Sequence, residues 1–165
     1  MGKTVLFTGD SISDGNRYKE EKDRSDLNHQ IGHSYVYVID ALIGSKYPER
    51  EIEFLNRGIS GNRVIELYGR IHEDMIDLKP DVVSILVGVN DGPQAEHGHH
   101  ATGDAYGKIY RMMLAELKEA NPEVKIVLVE PFLGKNGPVY DKDYKTWSEC
   151  IGSYQKEVRK IAEEF

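Results

Sequence analysis

The sequence predicts an α/β domain built on a parallel sheet, and three observations carry that prediction. Short, β-branched apolar runs alternate with longer stretches of helical period along the chain. The runs are apolar at nearly every position, as strands covered by helices on both faces must be. Three of them stop at turns rich in glycine, serine and asparagine: Gly9-Asp10-Ser11, Gly58-Ile59-Ser60-Gly61-Asn62 and Gly88-Val89-Asn90-Asp91. At 165 residues the chain reads as a single domain, 1–165, able to bury about two-thirds of its unfolded surface. It contains no internal repeat and no low-complexity segment.

Thr4-Val5-Leu6-Phe7-Thr8 opens the chain as a strand. The polar stretch 14–33 has no sustained period and is expected as a loop. Ser34 then caps a helix to about Ile43, with Tyr35, Val38, Ile39 and Leu42 as its inward stripe and Gly44 as its stop. Ile52-Glu53-Phe54-Leu55 is the second strand. The helix after Asn62 places Val64, Leu67, Ile71 and Met75 on one side, and Pro80 ends it. Asp81-Val82-Val83-Ser84-Ile85-Leu86-Val87 is the third strand. A long helix over 102–120 turns Tyr106, Ile109, Tyr110, Met113, Leu114 and Leu117 to one side, and Asn121-Pro122 terminates it. Val124-Lys125-Ile126-Val127-Leu128-Val129 is the fourth strand. The last helix carries Trp147, Ile151, Tyr154, Val158, Ile161 and Phe165 on one stripe. That stripe reaches Phe165 without a stop signal, so a domain truncated before its fifth strand and final helix is expected.

Composition narrows the classes of function. A net charge of −7 argues against a nucleic-acid or anionic-membrane partner, both of which need a basic footprint. No run approaches the roughly 18 apolar residues that span a bilayer. The single cysteine, Cys150, fits a reducing cytoplasm, where the protein is expected. No cofactor motif follows any strand, and neither a cofactor nor a metal is expected. His97, His99 and His100 read as a solvated or substrate-lining loop.

In a parallel sheet the three turns emerge at one edge, where sites of open α/β folds form. Their chemistry suits acyl transfer. Ser11 is placed to attack a carbonyl carbon. Charge then builds on the carbonyl oxygen, and donors must already face it. The N–H groups of Ser11 and Gly61 and the side-chain amide of Asn90 are the donors on hand. Asp10 is expected chiefly to brace its loop, and Asp91 to hold its turn.

These blocks resemble the first three sequence blocks of the SGNH hydrolases, the GDSL-type esterase/lipase family, in order and spacing over nearly the whole chain. The resemblance implies a flavodoxin-like three-layer α/β/α fold, with four strands visible and a fifth expected to be missing. It implies Ser11 as nucleophile and an oxyanion hole from Ser11, Gly61 and Asn90. It also implies hydrolysis of short-chain acyl esters, including acetyl groups on carbohydrates, with a small-molecule ester as the partner. Asp14 and Arg17, with Asp10, are expected on the substrate side. The family's fourth block is an Asp-x-x-His near the C-terminus, and nothing after Asn90 matches it. The general base and its aspartate are therefore missing from the expected site, and little or no hydrolysis is expected of these residues alone. A non-catalytic binding module is the alternative. An uncovered sheet edge would also invite homo-oligomers.

Overall fold

The computed structural model describes residues 2–19, 29–93 and 101–165, with the backbone alone for 138–142. The expectations for His97, His99 and His100 lie outside the described residues. Four strands form the sheet: β1 (Thr4–Gly9), β2 (Glu53–Asn56), β3 (Val82–Leu86) and β4 (Lys125–Val129). All pair in parallel, in the order β2-β1-β3-β4. The chain steps outward from β1 to β2 and then returns to the other side of β1. That reversal puts a topological switch point between β1 and β3.

The helices are α1 (Ser11–Asp14), α2 (Tyr35–Lys46), α3 (Val64–Gly69), α4 (Gly103–Ala120) and α5 (Gly137–Glu164), the last kinked at Asp143. Leu6, Val83 and Ile85 point to one face of the sheet and meet α3, α4 and α5 in the main core. Tyr106, Tyr110, Met113, Leu114 and Leu117 of α4 are fully buried there, as their helical spacing requires. Of the stripe read on α5, Ile151, Tyr154, Val158 and Ile161 are buried, while Phe165 is exposed.

The other face is thinner. Phe7, Ile31 and Val36 form its small core, with α2 as cover. In register, Phe7 lies beside Ser84 and Ser84 beside Val127, so these three share that face. Val127, on the edge strand, is 48% exposed.

Three helix readings need correction. α2 is turned differently on the sheet, burying Val36 and leaving Val38 and Leu42 at 52% and 62% exposure. The segment is apolar on nearly every side, so periodicity could not choose the stripe. Its entry is fixed by Ser34, whose hydroxyl donates to the Ser13 carbonyl and accepts the Val36 N–H. Gly44 does not stop this helix, which runs to Lys46. Tyr47 ends it, one residue before Pro48, where α conformation is disfavoured. The helix read from Asn62 to Met75 is two pieces, α3 and a wide π turn at His72–Ile76.

Candidate active site

The turns after β1, β2 and β3 meet at the carboxyl edge of the sheet, and backbone bonds join the first two. The Arg57 N–H donates to the Phe7 carbonyl at 2.7 Å and the Ile59 N–H to the Gly9 carbonyl at 3.0 Å. Gly58 sits where the turn crosses α1: a Cβ there would lie 2.4 Å from the Asp14 nitrogen, so only glycine fits. Asn56, buried at the end of β2, donates to the Ser13 and Ile31 carbonyls at 2.7 and 2.8 Å and accepts the Gly58 N–H at 2.9 Å.

Ser11 opens α1 and is exposed. Asp10 caps this turn, its carboxylate accepting the Ile12 N–H at 2.9 Å. Its other oxygen is buried without a partner among the described residues. Burial pushes the Asp10 carboxyl up to about 6, against the pull of that N–H.

Gly61 occupies φ +84°, a backbone state that disfavours side chains, and nothing lies within 4 Å of where a Cβ would be. Among the described residues, neither the Ser11 N–H nor the Gly61 N–H donates to another group. The third turn is docked on the second. The Asn90 amide donates to the Asn62 carbonyl at 3.0 Å, and the Asp91 carboxylate accepts the Val64 N–H at 3.1 Å. Asp91 is 3% exposed, and burial raises its carboxyl to about 7. The Tyr154 hydroxyl of α5 donates to the Asp91 carbonyl at 2.6 Å. The Trp147 ring lies against Gly92, at the same edge.

Asp14 and Arg17, expected on the substrate side, are buried in the scaffold instead. Asp14 accepts the Ser60 N–H at 2.9 Å and the Lys19 ammonium at 2.8 Å. The Arg17 guanidinium donates to the Gly58 carbonyl at 2.8 Å. Both carry the turn that presents Gly61. Sequence reasoning missed Asn56 and Arg70 as parts of this region. Their partners lie up to 61 residues away along the chain, and no local period announces them.

No described side chain hydrogen-bonds the Ser11 hydroxyl. His33 is exposed and packs its ring on His29, 5.4 Å between centroids, and His72 reaches Glu116. The one Asp-x-x-His spacing in the sequence, Asp26 to His29, begins outside the described residues.

The family model of the GDSL-like lipase/acylhydrolase family matches residues 7–165. The chain belongs to this family. It is 35% identical over 170 residues to an acetylxylan esterase of Geobacillus stearothermophilus, covering 99% of this chain and 73% of that protein. The crystal structure of that esterase superposes with a TM-score of 0.80 at 36% identity, over 99% of this chain and 73% of the other. A GDSL-like lipase from Parabacteroides merdae superposes with a TM-score of 0.88 at 34% identity, over 98% and 73%. Solved variants of the Geobacillus esterase described as catalytic mutants replace an aspartate and, three residues further on, a histidine by alanine. The fold and the SGNH resemblance read from the sequence agree with these neighbours. Among the described residues, no helix is long and apolar enough to cross a membrane.

Proposed function

We propose that the chain carries the nucleophile and oxyanion half of a serine esterase acting on short acyl groups, acetyl on carbohydrate in particular. The observation that supports it most is the exposed Ser11 at the switch point, whose own N–H and that of Gly61 in the adjoining turn donate to no group among the described residues. In this reading the Ser11 oxygen bonds to the ester carbon, and the carbonyl oxygen takes up negative charge. The two N–H groups and the Asn90 amide stabilise it, a role worth about 10²–10³ in turnover per donor. Collapse breaks the bond to the alcohol, which leaves with the proton from Ser11, and water later releases the acyl group. The likeness to an acetylxylan esterase supports the acetyl and carbohydrate assignment.

Among the described residues no side chain bonds the Ser11 hydroxyl, and this favours a second reading, a binding module that holds an acylated sugar without cleaving it. An organophosphonate separates them. Covalent labelling at Ser11, lost in Ser11→Ala, supports the esterase. Binding of an acetylated xylo-oligosaccharide with no labelling at Ser11 supports the module.

A further inference from the structure

Arg70, directly after α3, is a buried guanidinium on no path that the proposed chemistry uses. It is 9% exposed, and its donors reach the first two turns of the site. Nε donates to the Asn62 side-chain oxygen at 2.8 Å, and Nη1 to the Arg57 carbonyl at 2.8 Å and to the Asp74 carboxylate. Nη2 makes a longer contact of 3.4 Å with the Gly9 carbonyl, one residue before Asp10. Asn62 is a connector with two ends. Its side chain is pinned by Arg70, and its carbonyl receives the Asn90 amide at 3.0 Å. Asn62 also follows Gly61 directly, so fixing Asn62 narrows the conformations open to the Gly61 backbone.

We propose that Arg70 is a positioning residue of this site, orienting the Asn90 amide and the Gly61 N–H through Asn62 and holding them in register with the Ser11 turn. The inference rests on the acyl-transfer reading above. A planar fork with five donors can hold the Asn62 side chain, a backbone carbonyl and a carboxylate at once; a lysine ammonium cannot match that geometry. A donor misplaced by about 1 Å can cost on the order of 10²-fold in rate. A residue that only supports stability would lower the melting temperature and leave the acylation rate of the folded fraction alone.

The test is the rate at which p-nitrophenyl acetate acylates Ser11, followed by release of nitrophenolate and by peptide mass. It is run on the unaltered chain, Arg70→Met, Asn90→Ala and the double variant, each held well below its own melting temperature. The account predicts that Arg70→Met lowers the saturating rate about 10- to 100-fold at little change in half-saturating ester. It predicts that Asn90→Ala lowers the rate comparably, and that the double variant loses less than the product of the two single losses, because part of what Arg70 orients is the Asn90 amide. Additive losses, or an unchanged rate in Arg70→Met, overturn the positioning role. An unchanged rate in Asn90→Ala overturns the oxyanion assignment on which it rests, a different failure. If Arg70→Met does not fold, Arg70→Lys and Asn62→Ala carry the same cycle. Asn62→Ala should then slow acylation and make the Lys substitution silent, and two additive losses there also overturn the proposal.

Discussion

The two edges of the sheet are built from different chemistry. At the carboxyl edge the chain buries Asp10, Asp14, Arg17, Asn56, Arg70 and Asp91. At the amino edge it closes with an exposed ion pair, Lys3 to Asp81 at 2.5 Å, whose side chains are 71% and 35% exposed. Burying polar groups is costly unless each finds a partner, whereas exposed pairs contribute little. The costly groups thus collect where three turns must be held within hydrogen-bond tolerance. Most bond across turns rather than within one, so the edge behaves as one polar unit. What the contrast teaches is where shape is being enforced by buried groups: the end of the sheet that presents Ser11 is held by buried polar side chains, and the far end by exposed and partly buried ones such as Asp81 and Asn121.

The contrast can be broken most severely at Asn56. Asn56→Asp would turn a donor that serves two carbonyls into a buried carboxylate facing them. A loss of about 3–5 kcal/mol is expected, read as a lower urea midpoint at an unchanged slope. A midpoint close to that of the parent would mean that the carboxyl edge is not specified in this way.

Asp91 sharpens the contrast through pH. Its carboxyl titrates near 7 in the fold, against an ordinary value of 3.8. Between those values the unfolded chain is ionised while the folded chain keeps the proton. This group therefore weakens the fold as pH rises from about 4 to about 7. Asp10, raised to about 6, acts in the same direction. Unfolding free energy should fall between about pH 4 and 7, and Asp91→Asn should remove on the order of 4 kcal/mol of that decline. A profile in Asp91→Asn as steep as the parent's would contradict the assignment. The smallest effect belongs to the amino edge: Lys3→Ala should leave the melting temperature where it was, and a clear drop would erase the contrast.

Much of this was legible before any coordinates. The β-branched runs fixed four strands to within a residue or two, and the turn residues located Ser11, Gly61 and Asn90 at one edge. The α4 stripe was legible because Tyr106, Tyr110, Met113, Leu114 and Leu117 recur at helical spacing against charged neighbours. α2 was not, because a segment reading Tyr-Val-Tyr-Val-Ile is apolar on competing sides and only the Ser34 bond to Ser13 selects one. The scaffold bonds of Asp14 and Arg17 were hidden for a related reason: nothing near Ser11 in the sequence shows that their partners, Ser60 and Gly58, come from another turn. Asn56 and Arg70 were not legible, since the bonds that tie the Ser11 turn to them, to Ser13, Ile31 and Gly9, come from residues distant in the chain.

The central claim is that the carboxyl edge makes Ser11 a better acyl acceptor than an ordinary exposed serine. In serine hydrolases, removal of triad members still leaves about 10³–10⁴-fold over water through oxyanion stabilisation and binding. The direct measurement is acetyl transfer from p-nitrophenyl acetate to the intact chain, mapped by peptide mass. Ser11 is compared with Ser45, an exposed serine on α2 far from the turns in sequence. The account predicts acetyl on Ser11 well ahead of Ser45, with the preference sharply reduced in Asn90→Ala, which removes one oxyanion donor. Equal modification of the two serines would contradict it.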